Sequence, residues 1–117
     1  MYKKNYTDYV EDMLQACIEV EIVIKNINYD EFKIDKLRLR AIERLFEIIG
    51  EAANRIPKEL QLKYTEIPWK NIIGMRNIII HTYESVDSLT LWEAAKQDLP
   101  VLTKELKNML KNMNKDF

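Results

Sequence analysis

The sequence contains few of the residues that interrupt regular structure, with two glycines and three prolines in 117 residues. Strand-rich domains of this size usually need more turn residues, so this scarcity argues against a β architecture. Because 47% of the residues are hydrophobic and 32% are charged, the composition favours an all-α protein. The length predicts one domain, residues 1–117, that is long enough to bury a hydrophobic core.

Metal-binding and nucleophilic residues are also scarce. Cys17 is the only cysteine and His81 the only histidine, and one of each, far apart, gives no ligand cluster, so we expect no metal and no cofactor. The sequence has neither a glycine-rich phosphate loop nor a serine hydrolase motif. The helical spacing of Cys17 predicts a core residue rather than a reactive thiol.

The chain also lacks an excess of positive charge and a long apolar run. Its formal net charge is −1 at pH 7, so no global field attracts nucleic acid, and any RNA contact must be local. The N-terminal segment is amphipathic and has no uncharged run of the kind found in signal peptides and membrane spans. Since a lone cysteine also fits a reducing compartment, we expect a cytoplasmic protein with no membrane partner.

Hydrophobic residues recur at alternating spacings of three and four, which predicts an up-and-down helical bundle. We predict four long helices and one short helix. The first long helix runs from an N-cap at Thr7 to about Asn26 and the second from an N-cap at Asp35 to about Arg55. Residues 28–34 break the pattern and are predicted to form a connection. The apolar face of the first helix is wide enough to be buried on two sides, by the bundle and by a second subunit.

The three prolines divide the second half of the chain. Pro57 ends the second helix and begins the short one, and Pro68 takes the first position of a central helix. Residues 85–88 are predicted to form a turn and to supply a new N-cap. The last helix keeps its apolar spacing through Pro100, so we predict a helix that is kinked at the proline but has one buried face.

The central helix carries the residues that indicate chemistry. On a helical wheel, Arg76 projects within about 60° of an apolar stripe that includes Trp69 and Ile80. A guanidinium stays charged, so its burial is tolerated only where an anion or a partner surface meets it. His81 lies about 140° further round the helix, beside Asn77 in the preceding turn.

An arginine and a histidine suit the metal-free cleavage of RNA. The 2′-hydroxyl of the substrate attacks its own phosphate, so the enzyme must supply only a base, an acid and a cation. Histidine serves as a base or an acid near neutral pH, and arginine binds phosphate oxygens with two N–H groups. A symmetric dimer would bring two copies of Arg76 and His81 to one cleft.

Other interpretations of these residues remain open. Arg76 and His81 could hold a nucleotide or a protein partner without catalysis, or Arg76 could simply pair with a glutamate of the second helix. Three glutamates, Glu43, Glu47 and Glu51, share one face of that helix. They form either a carboxylate site or, with neighbouring arginines, an ion-paired surface.

The pattern Arg-Asn-x-x-x-His-x-Tyr at residues 76–83 resembles the signature of the HEPN superfamily, in its HepT-like toxin branch. Residues 45–53 of the second helix and residues 67–75, which lead into the motif, resemble the same branch. Val86-Asp87, Trp92 and the segment 98–100 match its C-terminal part. The resemblance therefore covers nearly the whole chain, although Thr82 stands where relatives often have glycine.

The resemblance implies an all-α bundle that forms a homodimer. It implies the toxin of a toxin–antitoxin system, a metal-independent endoribonuclease with Arg76 and His81 as the catalytic pair and Asn77 orienting the site. It further implies a partner, a minimal nucleotidyltransferase antitoxin that transfers AMP from ATP to Tyr83. The alternative function is a non-catalytic, nucleotide- or partner-binding subunit of a nucleotidyltransferase complex.

Overall fold

Helices and the turns between them make up the described part of this computed structural model, residues 6–81 and 87–115, and this part contains no strand. The helices are α1 (Tyr6–Ile24), α2 (Tyr29–Lys33), α3 (Lys36–Asn54), α4 (Lys58–Gln61), α5 (Trp69–His81), α6 (Ser88–Glu93) and α7 (Leu99–Lys115), and a π-helical turn at Ala94–Asp98 joins the last two. The predicted all-α class and its four long helices are confirmed if α6, the π turn and α7 are counted as one helix. The described residues contain two short helices, α2 and α4, where one was predicted. None of the described helices combines the length and apolarity that crossing a membrane requires.

Helix α3 lies at the centre of the bundle. It packs against α1 on one side and against α5 on the other, and α1 also packs against α7. Helix α1 buries five side chains at the predicted spacing: Val10, Met13, Cys17, Val20 and Ile24. The apolar face of α1 extends beyond these five residues to Ile22, which the bundle does not cover and which is 66% exposed. Helix α5 packs chiefly against α3, and a groove or cavity lies along each of its flanks.

The connection predicted for residues 28–34 is wrong, because α2 lies within it. Asn28 and Glu31 form a capping box, in which the Asn28 side chain accepts a hydrogen bond from the Glu31 N–H (2.9 Å) and the Glu31 carboxylate accepts one from the Asn28 N–H (3.0 Å). Phe32 of this helix is fully buried and its ring centroid lies 5.2 Å from that of Trp92. A five-residue helix is too short to show hydrophobic periodicity, so the capping box was the available signal.

The predicted N-caps are correct in two places and wrong in one. Asp35 accepts a hydrogen bond from the Arg38 N–H (3.1 Å) and begins α3. In the predicted 85–88 cluster, Asp87 accepts from the Thr90 N–H (3.2 Å) and begins α6, while residues 85 and 86 lie outside the described part. Thr7, in contrast, is already inside α1 and is buried, so it is not the cap of that helix.

The two prolines of the first connections lie at helix starts, as predicted to within one residue. Pro57 immediately precedes α4. The Pro68 carbonyl accepts a hydrogen bond from the Ile72 N–H (3.0 Å), which places Pro68 just before α5 rather than at its first position. Differences of one residue at a helix end are ordinary.

Pro100 is accommodated by a change of helical pitch. The Leu99 N–H bonds to the Ala94 carbonyl, five residues earlier. In a regular α-helix the proline ring would meet the carbonyl four residues before it, and a wider π turn relieves that clash. The buried face continues across the interruption as predicted, through Leu91, Ala95, Leu99, Leu102, Leu106 and Met109.

Replacement of Asp35 by alanine should destabilise the protein at neutral pH and have less effect in acid. The Arg38 backbone N–H and then the Arg38 side chain lower the pKa of the Asp35 carboxyl. A lowered pKa means that the stabilisation is present above the unfolded-state pKa and is lost as the pH falls through the folded-state pKa. Thermal unfolding of the native protein and Asp35→Ala should therefore differ at neutral pH and converge in acid. Asp12→Ala, an exposed mid-helix change, is the control, and an equal gap at both pH values would contradict the assignment.

Candidate functional site

Arg76 lies where α5 crosses Gly50 of α3. A Cβ atom placed on Gly50 would stand 2.2 Å from the Arg76 Cβ, 2.9 Å from the Arg76 Cγ and 3.1 Å from the Ile72 carbonyl oxygen. Only glycine permits this approach, because any side chain would occupy the space that the Arg76 stem fills. The contact fixes the position from which the guanidinium extends.

The role of Gly50 was not identified from the sequence, although a signal was present. A glycine inside an otherwise regular helix costs about 1 kcal/mol relative to alanine, so it usually has a packing or functional reason. The sequence contains two such glycines, Gly50 and Gly74, and nothing lies within 4 Å of a Cβ placed on Gly74. Only the structure separates the required glycine from the tolerated one.

The charge of Arg76 is not neutralised by any described residue. Its Nη1 donates a hydrogen bond to the Asn77 side-chain oxygen (2.9 Å), and its buried Nε has no hydrogen-bond partner in residues 6–81 and 87–115. Glu47 and Glu51 instead lie 3.2 Å and 3.9 Å from the Arg44 Nη1. The interpretation in which Arg76 merely pairs with a glutamate of the second helix is therefore wrong for the described residues.

The same contacts distinguish between the two interpretations of the glutamates on α3. Glu47 and Glu51 belong to an ion-paired surface with Arg44, as one of the two interpretations held. No group of three or more histidine, cysteine or acidic residues is close enough to hold a metal within the part of the chain that the structure describes. The half-buried guanidinium of Arg76 is thus the cation at this position, and an anion with two acceptor oxygens would satisfy it.

Asn77 and His81 continue the site toward the end of α5. Both side chains are exposed, and His81 is the last described residue of α5. Asn77 holds the guanidinium on one side and lies one helical turn before His81 on the other. The structure thus brings Arg76 and Asn77 together directly and places His81 on the neighbouring turn. Tyr83, the predicted site of modification, lies outside the described residues.

The large apolar side chains of α5 differ in burial. Trp69 and Ile79 are buried, whereas Ile78 and Ile80 are 56% and 40% exposed. Two large aliphatic side chains therefore face outward beside the catalytic candidates. On the helical wheel Ile80 projects near Arg76 and Ile78 near His81, so each candidate residue has one exposed isoleucine beside it.

Cys17 is a core residue, as predicted. It is buried, and desolvation raises the pKa of its thiol to about 12, with a smaller opposing effect from the Thr103 side chain. The thiolate, which is the nucleophilic form, is therefore disfavoured at neutral pH. This excludes Cys17 from the chemistry of the site.

Known proteins similar to this chain share one description. The family model "Ribonuclease HepT-like" matches residues 13–109. A Methanocaldococcus jannaschii protein named "Putative RNase MJ1216" is 38% identical over 113 residues, which are 97% of this chain and 93% of that protein. A Thermococcus cleftensis protein named "Probable ribonuclease HepT" is 36% identical over 109 residues, 93% of this chain and 99% of that protein. No solved structure matches the chain.

A third relative has a similar name. The Caldanaerobacter subterraneus protein named "Putative RNase TTE0752" is 39% identical over 102 residues, which are 87% of this chain and 91% of that protein. The similarity to these relatives covers most of both chains in each case.

Replacement of Gly50 by alanine should separate α3 from α5 and destabilise the protein by about 1–3 kcal/mol, the usual cost of overpacking a tight contact. The matched control is Gly74→Ala, which adds the same methyl group to open space and should stabilise α5 by roughly 0.8–1 kcal/mol. Denaturant unfolding of both variants measures the difference. Changes of the same sign and size in the two variants would show that the Gly50 contact does not constrain the fold.

Proposed function

The chain belongs to the HepT-like ribonuclease family, and from that premise we propose that it is the toxin of a toxin–antitoxin pair, a metal-independent endoribonuclease that uses Arg76 and His81. The observation that carries this proposal is the half-buried guanidinium of Arg76, whose Nε lacks a partner among the described residues. Such a group is stable when an anion completes its hydrogen bonds. A phosphate of RNA has the charge and the paired oxygens to do so.

The proposed reaction is an internal transfer within RNA. The 2′-hydroxyl oxygen attacks the adjacent phosphorus while a histidine removes its proton, and the bond from phosphorus to the 5′-oxygen of the next nucleotide breaks. A second acid protonates that oxygen, which leaves a 2′,3′-cyclic phosphate and a 5′-hydroxyl. Arg76 stabilises the negative charge that develops on the phosphate oxygens. Each acid or base contributes about 10²- to 10⁴-fold to the rate.

One protomer supplies only one histidine, so we further propose that the active form is a homodimer. Arg76 and His81 leave α5 about 140° apart, and a two-fold axis near the end of α5 would let the arginine of one copy approach the histidine of the other. The exposure of Ile78 and Ile80 supports this arrangement. Each isoleucine is already about half buried, so covering it would contribute roughly half of the 1.5–3 kcal/mol that full burial gives.

Regulation is proposed to act on the same site. The antitoxin, a minimal nucleotidyltransferase, transfers AMP from ATP to the hydroxyl of Tyr83 and releases pyrophosphate. The added phosphate brings negative charge and bulk close to the motif, where it competes with RNA for the cation at Arg76. Both reactions need RNA or ATP, and we place them in the cytoplasm.

We expect His81→Ala to lose RNA cleavage by about 10²-fold or more while it remains dimeric in size-exclusion chromatography. Arg76→Lys keeps the charge and most of the stem beside Gly50 but loses the paired N–H groups, and it should also be strongly impaired. Arg44→Lys, on the ion-paired surface of α3, is the control and should cleave like the native protein.

A mixing experiment tests the shared cleft. Inactive Arg76→Lys and His81→Ala dimers, exchanged after mild dissociation, form mixed dimers. In their shared cleft, one of the two Arg76–His81 pairs that cross the dimer has both native groups, so partial recovery of cleavage is expected. Recovered cleavage supports the composite site, and no recovery in verified mixed dimers would place both residues in one subunit. A native protein that does not cleave RNA at all would favour the alternative, a non-catalytic binding subunit.

Modification of Tyr83 should be visible by intact mass spectrometry. Co-expression with the nucleotidyltransferase encoded beside the toxin is expected to add increments of one AMP to the native protein and none to Tyr83→Phe. Tyr64→Phe, which alters a tyrosine on a different element, is the control and should still be modified. Modified protein that cleaves RNA at the native rate would contradict the regulatory role.

A further inference from the structure

A broad groove of about 1120 Å³ lies along one flank of α5, between that helix and the segment that leads from the end of α3 through α4. It extends along α5 from Pro68 to Asn77, the residue that holds the Arg76 guanidinium. Its volume exceeds the roughly 300–1,000 Å³ of a typical small-molecule site. The shape and position suit a polymer that runs along the helix into the site.

The charge of this groove is unlike that of the whole chain. Arg55, Lys58 and Lys70 line it, and the described lining residues include no carboxylate. The formal net charge of the protein is −1, so this is a local concentration of positive charge. It supplies the local anion-binding surface that a chain with no global positive field needs in order to hold RNA.

The opposite flank of α5 has the reverse character. A cavity of about 380 Å³ there is lined by Glu66, Asp98 and Glu105 together with apolar residues, and its described lining contains no lysine or arginine. A polyanion that reaches Arg76 along α5 therefore meets attraction on one flank and repulsion on the other. The charge asymmetry selects the basic groove as its path.

The floor of the groove is rigid and largely apolar. The Trp69 Nε1 donates hydrogen bonds to the carbonyls of Gln61 and Tyr64, both at 3.1 Å. The Gln61 side chain in turn donates to the Ile56 carbonyl at 2.9 Å. These bonds tie α4 to the start of α5. Trp69, the aromatic residue in the described lining, is itself buried. The groove therefore offers apolar contacts and cations rather than a stacking platform, and the backbone phosphates are the groups that its cations would hold.

We infer that this groove binds the single-stranded segment of RNA next to the cleaved phosphate. Lys58, Lys70 and Arg55 contact successive backbone phosphates, and the strand reaches the catalytic residues at Asn77. This inference rests on the proposed function, because it assigns a path for the substrate of the same site.

Salt-dependent binding tests the assignment. His81→Ala protein is mixed with a fluorescent single-stranded oligoribonucleotide, and anisotropy is measured over a range of salt concentrations. Adding Lys58→Gln and Lys70→Gln should weaken binding and reduce the slope of log affinity against log salt by about 1.4, or about 0.7 for each lost contact. The matched control adds Lys104→Gln and Lys107→Gln on α7, which changes the net charge equally outside the groove. Circular dichroism verifies that all variants are folded.

The inference is supported if the groove variant loses affinity and slope while the α7 variant keeps both. It is overturned if the two variants change alike, or if neither changes. Cleavage kinetics with His81 intact keep this test separate from the proposed function. A raised KM with near-native kcat in the groove variant supports both proposals. If the native protein binds RNA through the groove but does not cleave it, only the proposed nuclease function is contradicted.

Discussion

The close packing of α5 on α3 at Gly50 is the contact on which the site depends. A glycine there lets the two helices approach until the stem of Arg76 occupies the place of a side chain. The stem is thereby held against the backbone of α3, and the guanidinium has little freedom in how it leaves the bundle. A surface arginine would lose conformational entropy on binding a phosphate. In this protein, folding already restricts the stem of Arg76, so less conformational entropy is lost when a phosphate binds.

The same contact explains why the site carries an unsatisfied group. Holding the stem this closely also buries the Nε, which has no partner among the described residues. A buried donor without a hydrogen bond costs about 1–3 kcal/mol, and more when it is charged. The neighbouring carboxylates could have removed that cost, but Glu47 and Glu51 pair with Arg44, three and seven residues away from it on the same helix. No described carboxylate therefore neutralises the guanidinium, and the cation remains available to an anion.

The sequence was sufficient to predict those features that depend on local order along the chain. The alternating spacing of apolar residues located the seam of α1 and the face that continues through Pro100, because each helix buries a stripe whatever its neighbour is. Asp35 was recognisable as a cap for the same reason. Helix α2 was missed because five residues cannot display a period, and the N-cap of α1 was misplaced because the apolar pattern begins after the helix does.

The features of the site that could not be predicted are those that depend on which helices meet. Gly50 and Gly74 look alike in sequence, and only the crossing of α3 and α5 distinguishes them. The helical wheel correctly placed Arg76 with the apolar stripe, but it could not tell which part of the stripe the bundle would cover. Trp69 is buried while Ile80 is not, although the wheel places both on the same stripe.

Helix α5 packs on one main neighbour, α3, and therefore has three distinguishable surfaces: an inner surface against α3 and two flanks. Its inner surface fixes Arg76 against Gly50. One flank is basic and the other is acidic and apolar, so a polyanion and an apolar partner surface would not compete for the same side. The exposed isoleucines near His81 lie at the end of the helix, where a second copy would contribute the second histidine. A fully buried α5 would make a more stable bundle, but it would leave no surface for either substrate or subunit.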